Sequence, residues 1–347
     1  MFKEFSKGRV QIENSLSEKE VNELANNKGL EVIQFSEPIE DSTFEILDNI
    51  LFSIRDDVVL RAYGFYSKVC DLKFLLKMPN LARFYVECHG EVENLDNIAT
   101  LEHLKELNVS IFSLDNFNIL AKVPDTLEVL ILGQTSSKKP DLEVIKRFSQ
   151  LKTLFNGGHT KNLDVIKELK NIEDLTLSSI TTKNVDFLVP LERMWSLDIK
   201  LGGIKDFSAI EGMDNIKYLE LWQIRGLKDI SFISTLKGLQ YLFLQSLPNI
   251  EVMPSLNELV KLKKVALENM KGLKDISSLE HAPSLVEFTH WSAMNMSVED
   301  YTPLLKNSSL KRVSVGFGSD KRNKQFKELA ANYRKNDEGW WGEFPYE

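Results

Sequence analysis

One short apolar pattern occurs twelve times along the chain at a nearly fixed step, and it restricts the fold more than any other feature. The pattern is Leu-x-x-Leu-x-Leu, with other residues replacing leucine in some copies. Successive copies lie 21 to 25 residues apart. A step of this size predicts a solenoid, in which each repeat buries its apolar face against its neighbours. The last position of the pattern, called the marker residue below, falls at Ala62, Val86, Val109, Leu132, Asn156, Leu177, Ile199, Leu221, Leu244, Leu267, His290 and Val315.

A single repeat shows how each copy is expected to fold. Leu219 and Leu221 are two residues apart, so they share one face of a short strand and point toward the core. Tyr218, Glu220 and Trp222 share the opposite face. Stacked repeats place such strands side by side in a parallel sheet on the concave side of an arc. We therefore expect a right-handed α/β solenoid whose concave sheet presents the second set of side chains.

The stretch that returns the chain to the next strand is also patterned. Leu-Lys-Asp-Ile-Ser occurs at 227–231 and again at 273–277. Aspartate and serine side chains accept hydrogen bonds from free backbone N–H groups and thereby start short helical turns. Short α or 3₁₀ turns, rather than full helices, are therefore predicted on the convex side.

The strand pattern followed by Leu-Lys-Asp-Ile-Ser resembles the short leucine-rich-repeat class of internalins and phosphatase-regulator repeats. The resemblance covers roughly residues 57 to 317 and implies the leucine-rich-repeat fold. That class usually has asparagine three residues after the marker residue, where its amide satisfies backbone groups of the turn. Because this chain lacks that asparagine ladder, we expect backbone bonds or water to satisfy the turns. The residues found there are His89, Phe112, Thr135, His159, Ile180, Gly202, Ile224, Leu247, Met270 and Ala293.

The two ends differ from the repeats and predict caps over the apolar cross-sections of the solenoid. Residues 1–56 are expected to form an N-terminal cap with one atypical repeat. Within it, Ser17 and Glu20 form a capping-box pattern, which predicts the start of a helix. The solenoid itself, with about twelve repeats, is expected over 57–318.

Residues 319–347 predict a C-terminal helical cap and an aromatic tail. Apolar side chains along one side predict a helix over 321–334. The tail at 339–347 contains four aromatic side chains. Either these aromatics pack against the last repeat as part of the cap, or the tail is a docking segment for a partner.

The net charge restricts the class of partner. The 347 residues include 43 Lys and Arg against 51 Asp and Glu, a net charge of −8. Because general nucleic-acid binding requires a basic surface, no nucleic-acid ligand is expected. The acidic surface suits a basic protein partner, although solubility alone also accounts for it.

The cysteines and the hydropathy pattern bear on the compartment. Cys70 and Cys88 are the two cysteines, and they form no Cys-x-x-Cys pair. This favours a reducing compartment and argues against a disulfide framework or a metal site. No signal peptide and no run of 18 apolar residues is visible in the sequence. A cytoplasmic monomer without membrane association is therefore expected.

Motifs for catalysis or cofactor binding do not stand out. The sequence has no phosphate-binding loop and no His-Glu-x-x-His motif, and its five histidines lack ligand spacing. An enzyme, a cofactor and a metal are therefore not expected. Asn156 and His290 occupy marker positions, where a buried polar group must find a partner or cost about 1–3 kcal/mol. An internal hydrogen bond or a local strand irregularity is the expected explanation for both.

The main candidate site is an aromatic patch on the concave face of the C-terminal half. Strands about 4.8 Å apart would bring its side chains together. Exposed aromatics clustered with charges are typical of interface hot spots, whereas cross-strand stacking alone needs no partner. The predicted partner-binding residues are Asp198, Tyr218, Glu220, Trp222, Tyr241, Phe243, Glu268 and Trp291, with Lys200, Gln245, Lys264 and Glu287 beside them.

Together these features predict a non-enzymatic protein–protein interaction module that binds its partner on the concave face. An acidic, bacterial-looking chain without an effector domain fits an immunity or antitoxin-type protein that covers a basic toxin. The alternative is a regulatory subunit or scaffold for an intracellular enzyme, which only the resemblance to phosphatase-regulator repeats supports.

Overall fold

The computed structural model describes residues 2–336 and 344–347, and the chain divides into two compact units. Unit 1 spans residues 1–172 and unit 2 spans residues 173–347. Both units repeat the same element, a short strand followed by a short helical turn, as the sequence period predicts.

Unit 1 is a mainly parallel sheet with two short helices near its beginning. Its elements are β1 (Phe2–Ser6), β2 (Arg9–Ile12), α1 (Glu18–Asn26), β3 (Val32–Phe35), α2 (Asp41–Leu47), β4 (Val59–Gly64), β5 (Cys70–Asp71), β6 (Arg83–Cys88), β7 (Val92–Glu93), β8 (Glu106–Val109), β9 (Val129–Leu132) and β10 (Thr153–Gly157). β1 pairs antiparallel with β2, and the neighbour order then runs β2-β3-β4-β6-β8-β9-β10 in parallel. β5 and β7 pair separately.

Unit 2 continues the same construction with parallel strands in sequence order. Its elements are β11 (Asp174–Ser178), β12 (Ser196–Lys200), β13 (Tyr218–Trp222), β14 (Tyr241–Gln245), β15 (Lys264–Glu268), β16 (Glu287–Trp291), α3 (Thr302–Lys306), β17 (Arg312–Val315) and α4 (Asp320–Asn332). Each strand pairs with the next from β11 to β17. The predicted helix over 321–334 is therefore confirmed as α4, within two residues at each end.

The marker residues form the core, as predicted. Within each unit they stand opposite one another in the strand register, so Leu221 lies between Ile199 and Leu244. All three side chains are fully buried. The repeat period therefore arises from stacking of identical positions, and each inward side chain is enclosed by those of the neighbouring repeats.

Short 3₁₀ turns follow the strands and begin where the sequence predicts. Asp229 Oδ1 accepts a hydrogen bond from the Ser231 N–H at 2.8 Å, at the start of the turn Ser231–Thr235. Asp275 Oδ1 accepts from the Ser277 N–H at the same distance. The aspartate side chain satisfies a donor that has no partner within the turn, which explains the recurring Asp-x-Ser.

Backbone bonds replace the asparagine ladder in unit 2. The residue two positions after the marker residue has a left-handed backbone conformation. Its N–H donates a hydrogen bond to a backbone carbonyl of the next repeat. Gln223 donates to Gln245, and Ser246 donates to Glu268, both at 2.9 Å. The residue three positions after the marker residue, where the asparagine would stand, is buried in the core, as at Ile224. The left-handed residues are Ser179, Leu201, Gln223, Ser246, Asn269 and Ser292, with φ of 50–60°.

The beginning of the chain is more strand-rich than expected. The predicted capping box is confirmed: Ser17 accepts from the Glu20 N–H, and Glu20 accepts from the Ser17 N–H. β3 and α2 follow this helix, and a π-helical turn at Asp48–Phe52 extends α2. The hairpin of β1 and β2 was not predicted, because its strands are short and largely polar. In the described ranges, no helix is both long and apolar enough to span a bilayer.

Candidate partner-binding face

The predicted patch lies on one face of unit 2, which we call its outer face. Its side chains project from the strands on the side opposite the marker residues, because inward and outward positions alternate along a strand. The register arranges them in three rows across the sheet. The first row is Ser196, Tyr218, Tyr241, Lys264, Glu287 and Arg312. The second is Asp198, Glu220, Phe243, Ala266, Thr289 and Ser314, and the third is Lys200, Trp222, Gln245, Glu268 and Trp291.

The first row packs two tyrosines beside a group of ion pairs. The rings of Tyr218 and Tyr241 meet edge to face, with centroids 5.2 Å apart. Lys264 Nζ lies 4.8 Å from the centre of the Tyr241 ring and 3.2 Å from Glu287 Oε1. Arg312 Nε donates to Glu287 Oε2 at 2.9 Å. Burial raises the pKa of Tyr241 to about 12, so this phenol stays neutral at physiological pH.

The second row contains a carboxylate that is only partly satisfied. Lys200 pairs with Asp198 Oδ2, and its Nζ lies 3.9 Å from Glu220 Oε1. The Tyr218 hydroxyl donates to Glu220 Oε2 at 2.6 Å. Among the described residues, Asp198 Oδ1 is buried without a hydrogen-bond partner. Burial raises the pKa of Asp198 to about 6, although the Lys200 hydrogen bond acts to lower it. The charged form of this carboxylate is therefore destabilised by its surroundings.

The third row carries the most accessible aromatic surface. Trp291 is 46 % exposed, and its ring lies edge-on to Phe243 with centroids 6.4 Å apart. Trp222 is half-buried, and Lys200 Nζ lies 5.8 Å from the centre of its ring. Glu268 forms no ion pair with any residue in the described part of the chain. This row therefore combines apolar contact area with a free acceptor.

The segment Phe344–Glu347 lies across the first row, which the sequence did not predict. The Tyr346 ring lies 5.0 Å from that of Trp195 and 6.4 Å from that of Tyr218. The Phe344 ring lies 5.5 Å from that of Tyr241. These two aromatics thus contact β13, β14 and the residue before β12. The cap interpretation, which placed them against the last repeat, is therefore wrong for Phe344 and Tyr346. Trp340 and Trp341 lie outside the described residues.

Three residues just before the strands complete this contact and were missed at the sequence level. Trp195 and Gln240 touch the segment directly, and Lys263 pairs with the Glu347 carboxylate. Each lies one residue before an outward-facing strand position, so the alternation of inward and outward side chains did not predict it on the outer face. A signal was available: Trp195 stands where two later repeats have Lys217 and Lys263.

The outer face of unit 1, formed by outward side chains of β2 to β8, is a polar network instead. Arg61 donates to Gln34 Oε1 at 2.8 Å and pairs with Glu87. Asn108 donates to the other oxygen of Glu87 at 3.0 Å. The Tyr63 hydroxyl donates to Gln11 Oε1 at 3.0 Å, and Gln34 donates to the same oxygen at 3.1 Å. The side chains of this face therefore satisfy one another.

The two polar marker residues make internal hydrogen bonds, as expected. Asn156 is buried, and its Nδ2 donates to the His159 carbonyl at 2.9 Å. The Tyr301 hydroxyl lies 2.7 Å from His290 Nδ1. Burial lowers the pKa of His290 to about 4, so the ring is neutral at physiological pH. In residues 2–336 and 344–347, no cluster of three or more His, Cys, Asp or Glu is arranged to bind a metal ion.

Comparison with solved structures agrees with this construction. An internalin from Listeria monocytogenes is similar over 88 % of this chain and 86 % of its own, with 19 % identity and a TM-score of 0.57. A leucine-rich-repeat protein of Leptospira interrogans is similar over 93 % of this chain and 81 % of its own, with 17 % identity and a TM-score of 0.59. The chain has a leucine-rich-repeat fold. The resemblance seen in the sequence is thereby confirmed at the level of the fold.

A third leucine-rich-repeat structure extends the comparison. The functional domain of InlJ from Listeria monocytogenes, which includes a cysteine ladder, is similar over 85 % of this chain, with 15 % identity and a TM-score of 0.52. In this chain, Cys70 and Cys88 are both free and buried. No protein-family model matches the sequence, and no curated protein is significantly similar to it.

Proposed function

We propose that this chain is a non-enzymatic protein-interaction module whose partner binds the outer face of unit 2. The observation that carries the proposal is the exposed ring of Trp291 in edge-on contact with Phe243, with Trp222 in the same row. Clustered aromatic side chains are the usual energetic centre of a protein interface. Leucine-rich-repeat folds generally mediate protein–protein interaction, which supports the same function.

The charges of this face favour a basic partner. The outward positions of β11–β17 carry five carboxylates against three cations, a formal excess of two negative charges. The Glu268 carboxylate is the acceptor that a partner's basic side chain would find. Such a surface fits an immunity or antitoxin-type protein that covers a basic toxin. The carboxylates are Asp174, Asp198, Glu220, Glu268 and Glu287, and the cations are Lys200, Lys264 and Arg312.

We further propose that the chain works as a monomer in the cytoplasm. Cys70 and Cys88 support a reducing compartment, because both are free and buried. Refolding of the chain with and without a reductant tests the reducing compartment. Recovery of folded protein should be lower without the reductant, and equal recovery under both conditions would speak against that compartment.

Capture of the partner from a lysate of the source organism tests the function. Wild type and Trp222→Ala/Trp291→Ala serve as baits, with the proteins retained by each quantified by mass spectrometry. The double variant should retain the partner at least about 30-fold less, because aromatic anchors typically contribute about 2 kcal/mol or more. Lys228→Ala, an exposed change on the turn side, should capture like wild type. Full retention by a double variant that melts normally would contradict the proposal.

A further inference from the structure

The main chain of Phe344–Glu347 is held by a buried side-chain amide. Gln240 Oε1 accepts from the Glu347 N–H at 2.9 Å, and Gln240 Nε2 donates to the Glu347 main-chain oxygen at 3.0 Å. Gln240 is 1 % exposed. A buried amide without partners is costly, and these two bonds satisfy both ends of it. Gln240 therefore provides a fixed pair of hydrogen-bonding groups that match any peptide main chain.

Four side chains around Gln240 match the side chains of the segment. Trp195 and Tyr218 contact the Tyr346 ring, Tyr241 contacts the Phe344 ring, and Lys263 pairs with the Glu347 carboxylate. Burial raises the pKa of Tyr346, so its phenol is neutral in this environment. Phe344 and Tyr346 also contact each other, with ring centroids 4.8 Å apart. The contacts thus distinguish two aromatic positions and one acidic position.

Pro345 lies between the two aromatics and is exposed. Its ring fixes φ, which lowers the entropy that the segment loses on ordering. The sequence that these contacts select is therefore aromatic, one spacer residue, aromatic, acidic.

We propose that Trp195, Tyr218, Gln240, Tyr241 and Lys263 form a short-peptide subsite, and that Phe344–Glu347 is a ligand carried within the chain. The partner that binds the outer face displaces it with an extended peptide of the same chemistry: two aromatics flanking one residue, then a carboxylate. This second step rests on the proposed function. It does not conflict with a basic partner, because Lys263 lies next to Lys264 of the first row whereas Glu268 lies in the third row.

Peptide binding to the full chain tests the subsite without the partner. The probe is a labelled, terminally blocked Phe-Pro-Tyr-Glu peptide, followed by fluorescence anisotropy. Phe344→Ala/Tyr346→Ala should bind it saturably, and wild type should bind it at least about tenfold more weakly, because a tethered segment competes at an effective concentration on the order of millimolar. A peptide with alanine in place of both aromatics should not bind. Adding Gln240→Ala to the double variant should abolish binding, whereas adding Lys228→Ala should not.

Two results would overturn the subsite. One is equal binding of the peptide to wild type and to the double variant. The other is no binding to a double variant whose melting curve matches wild type. If the double variant melts at a lower temperature than wild type, Tyr346→Ala alone replaces it as the receptor. The same order of affinities is then expected. A wild-type dimer in size-exclusion chromatography that the double variant lacks would show exchange of segments between copies, contrary to a ligand held within one chain.

Partner capture tests the competition separately. Phe344→Ala/Tyr346→Ala should capture at least about threefold more partner than wild type, since no segment has to be displaced. Unchanged or reduced capture would contradict competition. Failure of the peptide test together with loss of capture by Trp222→Ala/Trp291→Ala would leave the proposed function in place and reject only the subsite.

Discussion

The outer faces of the two units have the same backbone pattern but opposite surface chemistry. In unit 1, Arg61, Glu87 and Asn108 satisfy one another in a chain of hydrogen bonds. In unit 2, an exposed Trp291 and an unsatisfied Asp198 oxygen remain. A face whose polar groups are already paired gains little from a partner, because binding only exchanges equivalent hydrogen bonds. The side chains on the strands, and not the repeat itself, therefore determine how much apolar surface and how many unpaired polar groups a face keeps.

The largest expected effect concerns what the two units share, the inward positions. Leu221→Asp in unit 2 and Leu107→Asp in unit 1 each place a charge where the side chain is fully buried. An unpaired buried charge costs several kcal/mol, and neighbouring repeats share the same core. Both variants should lose cooperative thermal unfolding or fail to accumulate in soluble form. A normal melting curve for either would mean that its strand face is wrongly assigned.

The next largest effect is a dependence of folding stability on pH, which a carboxylate on the outer face of unit 2 should cause. The pKa of Asp198 is about 6 in the folded chain and 3.8 as a free side chain. Because the folded state holds the proton more tightly, Asp198 stabilises the fold below pH 3.8, and this contribution is lost as the pH rises to about 6. Asp198→Asn does not titrate, so its stability relative to wild type should rise by about 2 kcal/mol between pH 4 and pH 7.

Urea unfolding of wild type and Asp198→Asn at both pH values measures this difference. Every other group titrates in both proteins, so the difference between the two curves isolates Asp198. If the stabilities of the two proteins instead change equally with pH, Asp198 is better solvated or better paired than its surroundings indicate.

A smaller effect tests whether the polar face of unit 1 is structural. Glu87→Ala removes the carboxylate shared by Arg61 and Asn108. Leaving both partly buried groups without their acceptor should lower the free energy of unfolding by about 1–3 kcal/mol. Glu268→Ala in unit 2 should change it by less than about 0.5 kcal/mol. Chemical denaturation of both variants measures the contrast, and equal losses would remove the distinction between the faces.

Much of this arrangement follows from the sequence, because it depends on regular spacing. The period gives the strands, and the alternation of Tyr218, Glu220 and Trp222 with leucines gives the outer face. Asp229 and Asp275 mark turn starts, since their side chains act only on residues two positions away. These features are local or repeat at a fixed step, so one repeat predicts the next.

The remainder depends on contacts between residues far apart in the sequence. Nothing in the spacing connects Gln240 with Glu347, which are 107 residues apart. The β1–β2 hairpin has too few apolar residues to be recognised by pattern. The network around Glu87 also escaped prediction, because it depends on which long polar side chains reach across neighbouring strands. That the aromatics of the outer face bind a partner remains a prediction.

Under the proposed function, the partner binds the outer face of unit 2 and not that of unit 1. Calorimetric titration of the captured partner against two matched double variants tests it most directly. Trp222→Ala/Trp291→Ala truncates two outward aromatic residues of unit 2, and Tyr63→Ala/Tyr85→Ala truncates two outward aromatic residues of unit 1. The first should weaken binding at least about 30-fold, and the second should leave the dissociation constant within about twofold of wild type. Equal losses, or a loss confined to the unit 1 variant, would contradict the account.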